Sequence, residues 1–311
     1  MRALSGRIVI TGSGGFIGSR LLARLLTEGS HVRCLRSAAV GQQYSRGAEQ
    51  VRCDFTSVDA VTEALQDVST VFHLGGMASS GAVQTSPAEA FLANTFATQN
   101  VLEAARRKHV ERVVLLSTAY VYGSASGSPV TEDSPLAPAS IYAATKLAGD
   151  ILAQAYYKSY GLPVNVLRCF NVYGPGQVAD AVIPTIVSQV LRKPEVSVRS
   201  LRPKRDFVFV DDVIDALCLA ARSEAAGSAF LIASGQPVSV AQLIRTTLSL
   251  VRGRNVDSPE DEPDEGDCLF GRAARAREMI GWQPSVSLAE GLQKTIDWWR
   301  QELLRAAHVE V

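Results

Sequence analysis

The stretch "VITGSGGFIGSRLL", residues 9 to 22, joins a short apolar run to an amphipathic one through a glycine-rich turn. Three of its glycines, Gly12, Gly15 and Gly18, stand three residues apart. In a strand–turn–helix unit the first permits a tight turn, the second lets backbone approach a phosphate, and the third lets helix and strand pack closely. The spacing favours a dinucleotide site over a turn that is merely rich in glycine. The predicted cofactor contacts from this turn are Gly12, Gly15, Phe16, Ile17 and Gly18.

Outward from the turn, short runs of Val, Ile and Leu alternate with longer helical patterns. Four of these runs are "HVRCLR" at 31–36, "TVFHLGG" at 70–76, "RVVLLST" at 112–118 and "PVNVLRCFNV" at 163–172. The runs are continuously apolar and are followed by helical patterns, which is typical of parallel strands buried on both faces. Right-handed crossovers then predict an α/β fold with a Rossmann-type doubly wound parallel sheet.

The regular pattern breaks after Gly174, where "GPGQVADAVIPT" reads as loop-rich. A strand and a helix resume in "RDFVFVDDVIDALCLAAR", and "SLAEGLQKTIDWWRQELLRAA" predicts a late amphipathic helix. We therefore predict a dinucleotide-binding core from residues 1–173 plus 207–235. A smaller C-terminal, substrate-binding lobe is expected from residues 174–206 plus 236–311.

Charge and composition argue against several classes of protein. The 311 residues carry 31 Lys plus Arg and 31 Asp plus Glu, which gives no electrostatic reason to expect nucleic acid or an anionic membrane as partner. No apolar run approaches the roughly 18 residues of a membrane span, and the first apolar run is too short for a signal peptide. Five scattered Cys without a C-x-x-C and four isolated His give little support to a metal site. We expect a soluble, cytoplasmic protein without a metal.

The end of the second predicted strand bears on the choice of dinucleotide. NAD sites usually place an acid there, yet no acid lies between Glu28 and Glu49, and Arg36 followed by Ser37 takes the position. Arg36 would suit a 2′-phosphate, so NADP is favoured over NAD, with a solvated loop Arg as the alternative. Asp54 could accept from the adenine amine or could equally be a turn residue or helix cap. The other predicted contacts at strand ends are Phe55, Leu74 and Gly75.

Polar groups gather in "LLSTAYVYGSASGSPVTEDSPLAPASIYAATK", residues 115 to 146. Tyr142 and Lys146 are four residues apart, so on a helix they share one face. An ammonium beside a phenol favours the phenolate and lowers the phenol's pKa from about 10, which suits general acid–base chemistry. Thr118 or Ser117, at a strand's carboxyl end, can hydrogen-bond the same reacting oxygen.

The motifs TGxxGFIG, "FHLGG", "LLSTAYVYG", "YAATK" and "RCFNVYGPG" together resemble the extended short-chain dehydrogenase/reductase family, in its NAD-dependent, nucleotide-sugar epimerase/dehydratase branch. The resemblance implies hydride chemistry on a nucleotide-diphosphate sugar. It makes Tyr142 the acid/base, Lys146 its activator, and Thr118, or neighbouring Ser117, the hydroxyl that positions the sugar oxygen. Asn171 would contact substrate phosphate and Arg205 the diphosphate; a turn-stabilising Asn and a surface Arg are the alternatives. A homodimer through the helices at 87–108 and 139–160 is also implied, although the stripe of Phe91, Thr95 and Leu102 could equally be core.

The same resemblance narrows the reaction. Family dehydratases place Asp-Glu after the strand-end Thr, where this chain has Ala119-Tyr120, so a 4,6-dehydratase is disfavoured. We expect a nucleotide-sugar epimerase similar to UDP-glucose 4-epimerase, with an NADPH-dependent nucleotide-sugar 4-ketoreductase as the alternative that Arg36 favours. A non-catalytic dinucleotide sensor is a third hypothesis, disfavoured because Tyr142 and Lys146 are both present.

A departure from the family pattern affects the substrate prediction. Where relatives often supply a second diphosphate-binding Arg before Gly-Asp, this chain reads "EPDEGD" at 262–267, with Pro263, Asp264 and Glu265. Arg199, Arg202 or Lys204 could substitute, or could form a solvated basic face. The base and the sugar of the substrate therefore stay open.

Overall fold

The computed structural model describes residues 4–37, 47–78, 80–123, 128–178, 180–192, 196–253 and 268–309. Its strands form two sheets. The strands are β1 Arg7–Thr11, β2 His31–Arg36, β3 Glu49–Arg52, β4 Val68–His73, β5 Arg112–Thr118, β6 Val164–Cys169, β7 Asn171–Tyr173, β8 Lys204–Phe209, β9 Ala229–Ile232, β10 Pro237–Ser239 and β11 Cys268–Leu269.

The helices cover both faces of the larger sheet and one side of the smaller. They are α1 Phe16–Thr27, α2 Val58–Ala64, α3 Ser80–Thr85, α4 Pro87–Phe91, α5 Ala97–Arg107, α6 Ile141–Tyr160, α7 Val182–Arg192, α8 Val210–Arg222, α9 Val240–Arg252, α10 Ala274–Ile280 and α11 Leu288–Val309. A π-helical turn at Leu92–Phe96 links α4 to α5, and a 3-10 turn at Ala119–Tyr122 follows β5. Within the described ranges, none of these helices combines the length and the apolar character needed to span a membrane.

The seven-stranded sheet is parallel throughout and runs in the order β3-β2-β1-β4-β5-β6-β9. The order reverses between β1 and β4, so the crossover helices fall on opposite faces. One face packs on α1 and α8, and the other on α2, α5 and α6. The Rossmann-type sheet predicted from the sequence is therefore confirmed, and its carboxyl-end crevice lies at the reversal.

The smaller sheet is centred on β8, which pairs with β7 and β11 in parallel and with β10 in antiparallel. Helices α7, α9 and α11 bury its apolar face. The single strand predicted at 163–172 is wrong: it divides at Phe170, so that β6 stays in the large sheet and β7 joins the small one. A continuous apolar run does not reveal which neighbour each half pairs with. The loop predicted through Thr185 likewise ends earlier, where α7 begins at Val182.

Two buried carboxylates fasten later segments of the chain to these sheets. Asp206 accepts hydrogen bonds from the backbone N–H groups of Ser234, Gly235 and Gly271, at 2.7, 2.9 and 3.3 Å. Asp212 accepts from the backbone N–H of Ser285 at 3.0 Å. The predicted boundary between 206 and 207 falls inside β8, and the division into core and lobe stays a prediction.

The π-helical turn changes which residues of the 87–108 segment face outward. Phe91 is 51% exposed and Leu92 is 46% exposed, whereas Thr95 and Leu102 are buried. The stripe of Phe91, Thr95 and Leu102 therefore divides: Thr95 and Leu102 belong to the core, which was the alternative left open, and only Phe91 faces outward. The exposed apolar side chains leave the homodimer an open prediction.

Candidate active site

A cavity of about 950 Å³ lies between the carboxyl ends of the large sheet and the small sheet. Its wall includes both catalytic candidates on α6 and both substrate candidates on the small sheet. The predicted site residues that line it are Phe16, Ile17, Leu74, Gly75, Ser117, Thr118, Tyr142, Lys146, Asn171 and Arg205. The fold thus brings together, at one opening, residues that lie up to 189 positions apart in the chain.

The glycine turn has the close geometry that its spacing predicts. Gly12 has a φ of +73°, and a Cβ there would lie 2.8 Å from the backbone nitrogen of Gly75. A Cβ on Gly18 would lie 2.1 Å from the Gly12 carbonyl oxygen. Helix α1 begins directly after Gly15 without a side-chain cap, so the N–H groups of its first turn are open to an anion. This cradle fits the phosphates of a dinucleotide.

A buried chain of hydrogen bonds holds the turn against the neighbouring strand end. The Gly75 N–H donates to Thr11 Oγ1 at 3.0 Å, and Thr11 Oγ1 lies 2.7 Å from His73 Nδ1. His73 Nε2 lies 3.0 Å from Thr98 Oγ1, which donates to the Asn94 carbonyl at 2.6 Å. Donors and acceptors alternate consistently when His73 is neutral with its proton on Nε2. Burial accordingly lowers the pKa of His73 to about 3.

Asn94, within the π-helical turn, extends this network to the other side of the cavity. Its side chain accepts from the Met77 N–H at 2.7 Å and donates to the Met77 carbonyl at 3.0 Å. It also donates to Thr145 Oγ1 on α6 at 3.1 Å. One side chain therefore fixes the chain beyond Gly75 to the helix that carries Tyr142. The sequence reasoning missed Asn94 because an Asn inside a helical pattern has no local signal.

The adenosine-side candidates lie outside the cavity wall. Arg36 ends β2 beside Arg52 of β3, with Ser37 directly after it. Asp54 Oδ1 accepts from the Thr56 N–H at 2.9 Å and from Thr56 Oγ1 at 2.6 Å, which is the turn role left open by the sequence.

Phe55 is also used within the protein, since its carbonyl accepts from Asn100 Nδ2 at 2.8 Å. Neither this contact nor the Asp54 turn contradicts a nearby adenine. The adenosine-side contacts stay predictions.

Tyr142 is placed by the start of α6 and the end of β5. The Ser140 hydroxyl caps the helix by accepting from the Ala143 N–H at 3.2 Å, which sets Tyr142 in the first turn. Thr118 Oγ1 accepts from the Tyr120 N–H at 3.2 Å, and this hydroxyl acts to lower the pKa of the Tyr142 phenol. Of the two hydroxyls proposed from the sequence, Thr118 is the one that acts on the phenol.

Lys146 lies one turn further along α6, but its ammonium is engaged elsewhere. Nζ donates to the Leu116 carbonyl at 2.6 Å. The lowered phenol pKa expected from the sequence is not found: burial raises the pKa of Tyr142 to about 12, and the Thr118 hydroxyl lowers it only in part. Burial also lowers the pKa of Lys146. Desolvation therefore has a larger effect on the pKa of Tyr142 than the neighbouring Lys146 charge has.

The small sheet supplies the opposite wall. Asn171 Oδ1 accepts from the Tyr120 hydroxyl at 3.0 Å, which leaves the donor end of its amide for another partner. Arg205 on β8 lines the cavity and donates to the Lys204 carbonyl at 2.9 Å. Gln177, which the sequence reasoning missed, also lines it, with a buried Oε1 that has no hydrogen-bond partner among the described residues.

Two further predictions bear on the chemistry of this site. The stretch at 262–267, with Pro263, Asp264 and Glu265, lies outside the described residues. Among the residues that the structure does describe, no group of three or more His, Cys, Asp or Glu is arranged to hold a metal ion.

The amino-acid sequence also matches a protein-family model. The model for the NAD dependent epimerase/dehydratase family matches residues 8–233, which is most of the chain. The chain belongs to this family. The resemblance read from the sequence motifs is thereby confirmed, and the relatives in question are enzymes, as expected.

Individual members of the NAD dependent epimerase/dehydratase family are similar over nearly the full length. The UDP-glucose 4-epimerase of Mycolicibacterium smegmatis is 35% identical, over 95% of this chain and 99% of that protein. The structure of the Thermotoga maritima UDP-glucose 4-epimerase with UDP-glucose has a TM-score of 0.87 and 27% identity, covering 96% of this chain and 99% of that one. MoeE5, solved with UDP-glucose and NAD, has a TM-score of 0.83 and 32% identity, covering 96% and 100%. Curated dTDP-glucose 4,6-dehydratases are related at 26% and 30% identity.

Proposed function

We propose that this protein is an NAD-dependent nucleotide-sugar 4-epimerase, similar in activity to UDP-glucose 4-epimerase. The observation that carries the proposal is a single cavity lined by Tyr142 and Thr118, by Phe16 and Ile17 next to the glycine turn, and by Asn171 and Arg205. A proton-transferring group, the edge of a phosphate cradle and candidate diphosphate contacts then border one space. The similarity to a UDP-glucose 4-epimerase at 35% identity supports the same activity.

The residues of this chain divide the work. Tyr142 removes the proton from the sugar 4-hydroxyl and later returns it, while Thr118 donates to the same oxygen and keeps it in place. Lys146, which donates to the Leu116 carbonyl, would instead hold the nicotinamide ribose, and its charge would favour the phenolate. When bound, NAD would supply the hydride acceptor for C4 and the hydride donor for the return to the other face of the sugar. A cavity of about 950 Å³ leaves room for the 4-keto sugar to turn over between the two steps.

The other end of the substrate is the proposed role of the small sheet. Asn171 keeps a free N–H donor because its oxygen is held by Tyr120. Arg205 provides a cationic contact on the adjacent strand, and a guanidinium can engage two phosphate oxygens at once. These two side chains support a nucleotide-diphosphate sugar as the substrate class.

The residues after Thr118 disfavour the dehydratase activity of other relatives. Elimination of water needs an acid and a base close to the sugar in addition to the phenol. Positions 119 and 120 carry Ala and Tyr, and the Tyr120 hydroxyl is committed to Asn171. An epimerase requires neither this additional acid nor this additional base.

A 4-ketoreductase that uses NADPH is the second candidate, and Arg36 at the end of β2 is the observation that favours it. A ketoreductase consumes one reduced cofactor per turnover, whereas an epimerase recycles a bound one. Several structural neighbours are solved with NAD, which supports the epimerase. A sensor that binds dinucleotide without chemistry is disfavoured by the presence of Tyr142 and Lys146.

The test is a proton NMR assay of the purified protein with UDP-glucose, UDP-galactose, UDP-glucuronic acid and dTDP-glucose, each without added cofactor. We expect a C4 epimer to appear from at least one of them, together with NAD⁺ in the mass spectrum of the denatured protein. Turnover of a 4-keto sugar only when NADPH is supplied would establish the ketoreductase instead. Failure of every substrate with either cofactor would contradict both.

A homodimer is also proposed, from the exposed Phe91 and Leu92 together with Ile151 of α6, which is 55% exposed. Light scattering after size exclusion would give twice the mass of one chain. A monomer at micromolar concentration would contradict it.

A further inference from the structure

A buried ion pair lies directly behind the catalytic candidates on α6. Tyr142, Lys146 and Asp150 follow one another at four-residue intervals and therefore share one face of the helix. Asp150 is 0% exposed, and its Oδ2 accepts from Arg168 Nε at 2.9 Å, with Arg168 2% exposed. Arg168 Nη1 in turn donates to the Tyr122 hydroxyl at 2.6 Å.

This arrangement is not explained by packing. A buried ion pair pays a large desolvation cost and commonly adds little to stability relative to apolar side chains of the same volume. The second carboxylate oxygen, Asp150 Oδ1, has no hydrogen-bond partner among the described residues, and neither has Ser117 Oγ nearby. Burial raises the pKa of Asp150, and the Arg168 guanidinium opposes that rise, so the carboxylate depends on its partner to stay ionised. An ion pair kept at that cost, one helical turn behind Lys146, calls for a role in the site.

The charges of the cluster can be counted. Lys146 and Arg168 are cations and Asp150 is the anion, so the cluster carries one net positive charge while Tyr142 is protonated. Formation of the phenolate makes it neutral. Four other ionisable groups face these side chains: His73 from β4, Tyr120 and Tyr122 after β5, and Cys169 from β6. Burial keeps His73 neutral and raises the pKa of the Tyr122 phenol and of the Cys169 thiol, and the Tyr120 hydroxyl keeps its proton in a hydrogen bond to Asn171. Asp150 is therefore the only anion that acts on the Tyr142–Lys146 pair among the neighbouring groups of the described residues.

We propose that Asp150, held by Arg168, is a positioning residue whose negative charge sets the pH at which the Tyr142–Lys146 pair gives up its first proton. Asp150 touches neither substrate nor cofactor and acts through the two residues that precede it on α6. The electrostatic directions agree: its charge raises the pKa of Tyr142 and, separately, the pKa of Lys146.

The proposal predicts different shifts in two variants. Asp150→Asn keeps the shape but removes the anion, so the phenol loses its proton more easily and the acidic limb of the pH–rate profile, which reports formation of the Tyr142 phenolate, moves to lower pH by about one unit or more. Arg168→Met removes the cation that opposes the effect of burial on the pKa of Asp150, so the carboxyl takes up a proton, the net charge of the cluster is unchanged and the limb should stay near the wild-type pH. General destabilisation accompanies both changes, but it would not move the limb in Asp150→Asn alone.

The inference rests on the proposed catalytic roles of Tyr142 and Lys146, and the experiment separates the two. The pH–rate profile is recorded by the NMR assay, and the phenolate absorbance of each NAD-loaded protein is titrated against the same protein carrying Tyr142→Phe. Asp212→Asn, a buried carboxylate remote from Lys146, is the matched control and should leave both midpoints in place. If no substrate is turned over but the phenolate midpoints still shift, the proposed function is contradicted and the role of Asp150 is not.

Unmoved midpoints in Asp150→Asn, or equal shifts in both variants, would overturn the proposal and leave the ion pair a structural feature. If Arg168→Met does not fold, the shift in Asp150→Asn still decides. Asp150→Glu, which keeps the charge, should restore the wild-type midpoint.

Discussion

The two walls of the cavity are built in different ways. The cofactor wall, which we define as Phe16 and Ile17 with the glycine turn behind them, Leu74–Gly75, Tyr142 and Lys146, comes from strand–helix units of one parallel sheet. The substrate wall, defined as Asn171 and Arg205, comes from a sheet whose four strands lie between residues 171 and 269. The first wall depends on local geometry, whereas the second depends on distant pairings and on Asp206, which ties three later backbone groups together. Substitutions in the cofactor wall should therefore impair catalysis or NAD binding, whereas substitutions in the substrate wall should impair substrate binding.

The largest expected effect is on the chemistry of the cofactor wall. Tyr142→Phe removes the proton that is transferred and should lower kcat by about 10²–10⁴-fold, with NAD still bound. The measurement is the NMR rate together with mass spectrometry of the retained dinucleotide. Tyr156→Phe, on the same helix but directed to Glu103, is the control and should keep its rate. A Tyr142→Phe protein with normal turnover would remove the phenol from the mechanism.

The next largest effect should be confined to the binding of NAD. A methyl group on Gly18 would meet the Gly12 carbonyl at 2.1 Å, so Gly18→Ala must displace the turn. Overpacking of this kind costs about 1–3 kcal/mol, which corresponds to roughly a 5- to 150-fold loss of NAD affinity if the strain falls on the binding conformation. The NAD affinity is measured by titration calorimetry on protein from which bound dinucleotide has been removed. Gly149→Ala, where the nearest atom would lie 3.4 Å away, should bind NAD normally; equal losses in both would mean that the turn is not special.

A smaller effect should appear only on the substrate wall. Asp206→Asn weakens the bonds that fix β8 against Ser234, Gly235 and Gly271, which loosens the strand bearing Arg205. We expect KM for the nucleotide sugar to rise by about tenfold and stability to fall by about 1–3 kcal/mol, with NAD affinity unchanged. Steady-state kinetics and NAD calorimetry on the same sample separate the two walls. Loss of NAD in this variant would contradict their independence.

The smallest effect is a pH dependence of stability that belongs to the cofactor wall. Burial lowers the pKa of His73 to about 3, below the value of about 6.5 expected in the unfolded chain. Its contribution is therefore complete above pH 6.5 and is lost as the pH falls toward 3, by up to about 1.4 kcal/mol per unit. Urea unfolding between pH 6.5 and 5, above most carboxylate titrations, should show this slope in the wild type and lose it in His73→Gln. Exposed His31→Gln should keep the slope, and a slope that survives in His73→Gln would exclude His73 as its source.

The same contrast between the walls explains what the sequence could predict. The glycine turn, Tyr142, Lys146 and Thr118 lie in short motifs whose spacing alone specifies a turn or a helix face, and the structure places them together. The break at Phe170, the π-helical turn around Asn94 and the buried pair of Asp150 and Arg168 were not predictable in this way. Each depends on which distant segment packs beside it, and a linear pattern does not carry that information. The phenol pKa was misjudged for the same reason, because desolvation is a property of the assembled site.

The central claim is that Tyr142 serves a transient oxidation at C4 whose hydride returns to the same sugar. It is tested most directly with UDP-glucose deuterated at C4, or the sugar nucleotide that the NMR panel identifies, incubated with the purified protein and no added dinucleotide. The account predicts an epimer that retains deuterium at C4, because the hydride taken up by the bound cofactor is the one given back. Loss of the deuterium to solvent, or an absolute requirement for added NADPH, would contradict it.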